Sequence, residues 1–127
     1  MTSMRFNCGL DVALSVVGGK WKPLILFHLA NGARRYGELK RAVGGVSDKM
    51  LIQQLKELQA DGVIDRRDYQ QVPPKVDYSL TPFGITLADA LVPLCAWGTA
   101  HVVKVEQLMA RRVANEVNVK AVPGTTA

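Results

Sequence analysis

The stretch Val46-Ser47-Asp48-Lys49-Met50-Leu51-Ile52-Gln53-Gln54-Leu55-Lys56-Glu57-Leu58-Gln59-Ala60-Asp61-Gly62-Val63-Ile64-Asp65-Arg66-Arg67 decides the reading of the whole chain. Leu51, Leu55 and Leu58 recur at i, i+4 and i+7, so they share one stripe of a helix that must bury them against other apolar elements. Ser47 is placed to cap the start, Asp48 complements the positive end of the helix, and Gly62 supplies the stop. At about 100° per residue, Lys49, Gln53 and Lys56 fall opposite the leucines, with Ile52 beside them. Lysine and glutamine bond phosphate oxygens and major-groove base edges, and an isoleucine suits a thymine methyl. Together with Ser47 and Met50 in the first turn, these residues make the surface a DNA-recognition helix needs. A solvated amphipathic helix would show the same pattern, and this helix alone does not separate the two readings.

The flanking sequence favours the first. Upstream, Arg34 to Val43 predicts a short helix with Tyr36, Leu39 and Val43 on its inner side, and Gly44-Gly45-Val46-Ser47 predicts a tight turn. Two short helices joined through glycines, spanning residues 36–60, are a helix-turn-helix pattern in which the first helix crosses the DNA backbone and the second enters the groove. Arg34, Arg35 and Lys40 are the expected backbone contacts of the first helix. From Arg34 to Glu57 six basic residues stand against three acidic ones, so the positive excess collects around the proposed recognition helix.

Downstream the period changes from helical to alternating. Val63 to Tyr69 and Lys75 to Leu80 predict two strands, with Val76, Tyr78 and Leu80 on one side, joined through Gln70-Gln71-Val72-Pro73-Pro74. A hairpin over residues 63–80 with such a tip projects as a wing. Arg66, Arg67 and Lys75 are its candidate phosphate or minor-groove contacts, and edge-strand charge that blocks aggregation is the alternative for each.

Helices are expected on either side of this unit. Leu10, Ala13, Leu14 and Val17 have helical spacing, Gly18-Gly19 ends that helix, and a second runs from near Lys20 through Ala30 with Pro23 in its first turn. Thr81-Pro82 caps and opens a long C-terminal helical region in which Pro93 should kink or split the helix and Gly98 should weaken it again. Its apolar stripe, Leu87, Leu91, Leu94 and Trp97, resumes at Val102, Val105, Leu108 and Met109, and it exceeds what one small domain can cover. Residues 8–17 and 81–112 are therefore expected to build a homodimer interface through Leu10, Leu14, Leu91, Leu94, Trp97, Val102 and Val105, with intramolecular packing as the alternative. Residues 1–118 make one domain, mostly α with a small β component, and residues 119–127 read as a flexible tail.

Composition bounds the function. The 127 residues are 48% hydrophobic and 21% charged, which is globular, and 16 basic against 11 acidic residues give a net charge of +5 that favours polyanionic partners. No run of about 18 uncharged apolar residues occurs and the N-terminus lacks the apolar core of a signal peptide, so a cytoplasmic location without membrane contact is expected. Cys8 and Cys95 cannot build a disulfide framework and neither has a partner at metal-ligand spacing, so no metal or cofactor is expected. His28 is read as a structural histidine at the margin of the core. A thiol enzyme using Cys8 with His28 or His101 would need a nucleophile elbow, a phosphate loop or paired carboxylates, and the sequence has none of them.

In order along the chain, Cys8, Gly18-Gly19-Lys20-Trp21, Arg35-Tyr36-Gly37-Glu38-Leu39, Leu51 to Leu58 with Asp61-Gly62, Pro73-Pro74-Lys75-Val76-Asp77-Tyr78-Ser79-Leu80-Thr81, Gly84 and Trp97-Gly98 form a series. The series resembles the HxlR-type winged helix-turn-helix transcriptional regulators of bacteria, over about residues 8–98. The resemblance implies a dimer that binds a pseudo-palindromic operator and acts mostly as a repressor, sometimes as an activator. Tyr36 stands where that family more often has phenylalanine, and Ile52 where a small hydroxyl residue is common. Several relatives use the N-terminal cysteine to sense oxidants or electrophiles such as quinones, a role that would fall on Cys8. A thiol at a helix start, with Arg5 nearby, has its thiolate favoured, while packing at the dimer contact is the other reading of Cys8. A winged-helix module that binds protein and not DNA is the remaining rival, and salt dependence of binding separates the two.

Overall fold

A computed structural model describes residues 5–121. Its elements are α1 (Gly9–Val17), α2 (Trp21–Leu29), β1 (Arg34–Arg35), α3 (Tyr36–Val43), α4 (Asp48–Ala60), β2 (Ile64–Asp68), β3 (Val76–Leu80), α5 (Pro82–Ala100) and α6 (Val102–Ala121). They fall into two compact units that divide within α5, between Leu91 and Val92.

The first unit holds the core. Ile25, Leu26 and Leu29 of α2, Leu39 of α3, Leu51, Leu55 and Leu58 of α4, Val63 just before β2 and Ile64 at its first position are all buried, and α2 lies against α3, α4 and β3. The leucine stripe of α4 thus packs as its spacing requires. At the other end of α4, the Gly62 amide donates to the Gln59 carbonyl and the Val63 amide to that of Leu58. These are the two bonds of a Schellman motif, and Gly62 at φ 72° takes the left-handed conformation it demands. Leu58 and Val63, buried at its two ends, complete the motif.

The wing is the expected two-stranded hairpin of β2 and β3, and the sheet adds a third strand that the pattern does not predict. Its order is β1-β3-β2, all antiparallel, and Arg34 and Arg35, expected to open a helix, pair as a short strand with Tyr78 and Asp77. The reason is local. Arg35 occupies the N-cap of α3, where the backbone is extended, and its amide donates to the Glu38 carboxylate at 3.0 Å, so the helix can only begin at Tyr36.

Thr81 ties three elements together. Its hydroxyl donates to the Gly62 carbonyl at 2.6 Å and accepts from the Gly84 amide at 2.9 Å, while its own amide donates to the Val63 carbonyl. The first turn of α5 is thereby seated on the end of α4 and the start of β2, and Gly84 and Ala88 are buried there. Leu87 and Leu91, both half-buried, pack against the same core, so this half of the C-terminal stripe is partly covered inside the protomer.

In the second unit α5 runs on through Pro93 without a break. A proline in this position removes one amide and orphans the carbonyl of Asp89, and since Asp89 is exposed, water can serve that carbonyl. The interruption comes instead at His101, whose amide is shared between the Trp97 and Gly98 carbonyls and whose ring stacks on Trp97 at 4.5 Å. Leu94, Trp97, Val102, Met109, Val113 and Val117 are exposed on these helices. α6 continues through Val119 to Ala121, where a tail was expected from residue 119, and residues 122–127 lie outside the described residues. Among the described residues, α5 is by itself long and apolar enough (mean hydropathy 1.4) to cross a membrane, and α1 and α2 would meet that test only if their bent pair were one span.

Candidate nucleic-acid interface

The two helices of the turn are locked by Asp48. It stands at the first position of α4, just after Ser47, whose hydroxyl accepts from the Met50 amide at 3.1 Å. The Tyr36 hydroxyl donates to the Asp48 carboxylate, and Lys40 Nζ lies 2.9 Å from the same oxygen. These bonds hold the Asp48 carboxyl below its ordinary range, first through the Tyr36 hydroxyl and then through Lys40. Partial burial, reinforced by the carboxylate, pushes the Tyr36 phenol up to about 12. Gly44 and Gly45, at φ 70° and 71°, make the turn that brings α3 and α4 into this register.

With the leucines buried behind, the outer face of α4 is open. Lys49, Ile52 (44% exposed), Gln53 and Lys56 all reach solvent and line one shallow depression together with Glu57. Glu57 was not among the residues singled out by pattern, and neither was its partner. Lys22 of α2, whose side chain is only 13% exposed, places its ammonium 2.7 Å from Glu57 Oε1, and Gln53 Nε2 donates to Glu57 Oε2 at 3.1 Å. The Lys22 bond, followed by that of Gln53, holds the Glu57 carboxyl below the usual carboxylate range. Met50 is half-buried against the core, with its sulfur accepting from Gln54.

The wing contributes a second cationic surface. β2 and β3 pair with Arg67 opposite Asp77, and the Arg67 guanidinium and the Lys75 ammonium lie 4.5 and 4.1 Å from the centre of the Tyr69 ring. The Tyr69 hydroxyl donates to Asp77 Oδ2 at 3.0 Å, which anchors the ring that both cations approach. Tyr69 also escaped the pattern reading, although its i+2 relation to Arg67 on one strand face was there to be read.

Three of the expected backbone contacts differ in their surroundings. Arg34 is half-buried and its Nε donates to the His28 carbonyl at 2.6 Å, and Lys40 is paired with Asp48. Arg35 is exposed and, with Gly37, Glu38 and Arg41, lines a second shallow depression. His28 is half-buried; that burial, and after it the Arg34 charge, lowers the pKa of its imidazole. Cys8 is exposed at the N-cap of α1, and Leu10 (66%), Leu14, Leu94, Trp97 (56%) and Val102 are exposed, whereas Val105 and Leu91 are half-buried. Among the described residues no three His, Cys, Asp or Glu side chains cluster as metal ligands would.

A small sheet with a projecting hairpin, an open cationic helix face and a glycine turn locked by Asp48 make a winged helix-turn-helix. The HxlR-like helix-turn-helix family model matches residues 16–106. The chain belongs to the HxlR-like helix-turn-helix family. It is 50% identical over 105 residues to the uncharacterized HTH-type transcriptional regulator YtcD of Bacillus subtilis, covering 83% of either chain. The solved structure of the redox regulator HypR in its reduced form superposes with a TM-score of 0.72 at 40% identity, over 79% of this chain and 99% of that one. The diamide-treated transcriptional regulator YodB of B. subtilis gives a TM-score of 0.62 at 31% identity, over 76% of this chain and 96% of that one. This chain is accordingly a DNA-binding transcriptional regulator of the HxlR type.

Proposed function

We propose that this HxlR-type regulator binds double-stranded DNA as a homodimer, reads a pseudo-palindromic operator, and acts there as a repressor. The observation that carries the reading is the outer face of α4: Lys49, Ile52, Gln53 and Lys56 are exposed together on a helix whose opposite face is anchored by three fully buried leucines. Lys49 and Lys56 supply phosphate contacts, Gln53 and Ile52 the base edges, and Ser47 with Met50 the first turn at the groove. Arg67 and Lys75, ordered on Tyr69, bring the wing to the flanking backbone, and Arg35 serves the start of α3. Lys40 and Arg34 lie at the margin of this surface.

Dimerisation is supported by the exposed apolar side chains of α1 (Leu10, Leu14) and of the C-terminal helices (Leu94, Trp97, Val102), with Val105 and Leu91 at the edges. A two-fold pair of α4 helices would meet half-sites one helical turn, about 34 Å, or a multiple of it apart. The protein is cytoplasmic in this reading, with no enzymatic activity and no membrane contact, since α5 is anchored in the domain by Gly84 and Ala88. Cys8, exposed at a helix start, is the proposed point at which an oxidant or electrophile releases the DNA, as the similarity to the redox regulator HypR suggests.

Selection of bound duplexes from fragmented genomic DNA with the purified reduced protein tests the reading directly. A recovered site with two-fold symmetry is expected, and Gln53→Ala should lower discrimination against random duplex by roughly 1–3 kcal/mol with the fold intact. Binding that does not weaken with salt would refute it. Diamide should release DNA from the native protein and not from Cys8→Ser; equal release from both would remove the role of Cys8.

A further inference from the structure

Gln53 does not stand alone on the recognition face. Its amide nitrogen donates to Glu57 Oε2 at 3.1 Å, one helical turn away, and Glu57 Oε1 is held at 2.7 Å by the largely buried ammonium of Lys22. Lys22 belongs to α2, the helix at the centre of the core, so Glu57 is tied to a part of the fold that does not move with α4 side chains. An ionised carboxylate offers only lone pairs. Turning the Gln53 amide over would set its carbonyl oxygen against a carboxylate oxygen at hydrogen-bond distance, acceptor against acceptor.

We infer that Lys22 and Glu57 are positioning residues for Gln53, fixing which end of its amide faces a bound duplex and thereby setting base choice at one position of each half-site. The inference rests on the reading of α4 as the DNA-contacting helix. With one nitrogen hydrogen committed to Glu57, Gln53 presents its oxygen as an acceptor and its remaining hydrogen as a donor in one fixed order. Adenine matches that order in the major groove, through its N6 amino group and N7. Guanine shows two acceptors, O6 and N7, and is met well only by an amide whose nitrogen is free to turn outward. The Lys22–Glu57 pair therefore favours adenine over guanine at the base Gln53 reads.

The test uses the full chain, a randomised duplex library to locate the position whose base preference Gln53→Ala erases, and then duplexes carrying adenine or guanine there. The double variant Lys22→Met/Glu57→Ala keeps the net charge of the protein, so affinity for random duplex at fixed salt should stay within about twofold. Its adenine-over-guanine preference should fall roughly tenfold, and adding Gln53→Ala should lower it no further. An unchanged preference, or a Gln53→Ala effect equal with and without the pair, overturns the inference. Should the double variant fail to fold, Glu57→Ala alone, at a half-exposed helical site, is read against the same two outcomes. A wild-type protein that shows no salt-dependent duplex binding overturns the reading of α4 itself, and the inference with it. A wild-type protein that binds duplex while the cycle is additive overturns only the positioning role.

Discussion

Replacing Gly84 by alanine sets two rules against each other. Gly84 lies in the first turns of α5, and alanine is a better helix former than glycine by about 1 kcal/mol, so propensity alone forecasts a more stable protein. The structure forecasts the reverse. A Cβ at Gly84 would fall on the carbonyl oxygen of Val63. That atom is backbone, already accepting from the Thr81 amide, and it belongs to a fully buried residue at the Schellman end of α4, so no side-chain rotation relieves the overlap. α5 must lift from β2, loosening the Thr81 bonds to Gly62 and Gly84. Because backbone must move, the cost falls in the upper part of the usual overpacking range, about 2–3 kcal/mol, which outweighs the propensity gain and leaves a net loss of ~1–2 kcal/mol. For a chain of this size the midpoint should fall by about 4–8 °C. Gly98, further along α5, has nothing within 4 Å of its would-be Cβ, so Gly98→Ala is the matched control and should raise stability by roughly 0.5–1 kcal/mol. Thermal and urea melts of the two variants give the answer. A Gly84→Ala protein as stable as wild type would refute the close approach of α5 to β2.

Tyr36→Phe should cost about 1 kcal/mol by removing the hydroxyl that bonds Asp48. Because the folded phenol titrates near 12, above its unfolded value of 10.0, the wild type should also lose stability as pH rises from about 10 through 12, and the variant should lack that loss; identical alkaline melts would argue against the bond. His28 titrates below its ordinary 6.5 in the fold, so the unfolded chain binds the proton first and stability is lost as pH drops below that value; His28→Gln should flatten this acid slope, seen as a smaller fall in urea midpoint between pH 7 and 5. Tyr69→Leu frees Arg67 and Lys75 from the ring, and duplex dissociation constants should rise about twofold to fivefold with the salt slope unchanged; an unaltered affinity would mean the ring orders nothing.

Where the determinants were local, the chain could be read without coordinates. The α4 stripe, the Ser47 cap, the Gly62 stop and the Thr81 cap each depend on residues within a few positions, and each stands where the spacing put it. β1 was illegible because two arginines carry no apolar alternation, and their strand exists only through pairing with β3, more than forty residues on. Pro93 does not split α5; the break comes three residues after Gly98, the expected weak point, where the His101 amide is shared between the Trp97 and Gly98 carbonyls. At the candidate site, Lys49, Gln53 and Lys56 follow from the helical wheel alone. Lys22 does not, since its ammonium is brought to Glu57 across 35 positions by the packing of α2 on α4. Glu57, at i+4 from Gln53, was visible as a potential partner and went unused because a carboxylate on a DNA-facing helix has no role until Lys22 is placed beside it.

Pairing also changes what the basic residues can contribute to DNA affinity. Eight basic side chains per protomer fall among the sequence-derived contacts: Arg34, Arg35, Lys40, Lys49, Lys56, Arg66, Arg67 and Lys75. Two of them are engaged inside the protein, Arg34 on the His28 carbonyl and Lys40 on the Asp48 carboxylate. A lysine already neutralised by a carboxylate releases fewer counterions when a phosphate approaches, and an arginine held by a part-buried backbone carbonyl would have to give up that bond to reach one. Six remain, and at about 0.9 per phosphate they set a ceiling near 5.4 on the salt slope of one protomer and about 10.8 for a dimer, against about 14.4 for the full count. Fluorescence anisotropy on a selected operator over a range of KCl concentrations measures the slope. Lys40→Gln should then leave the slope nearly unchanged, whereas Lys49→Gln should reduce it by almost one per protomer. A slope steeper than the ceiling, or equal losses from the two substitutions, would show that the Asp48 clamp opens on DNA and that Lys40 is a backbone contact after all.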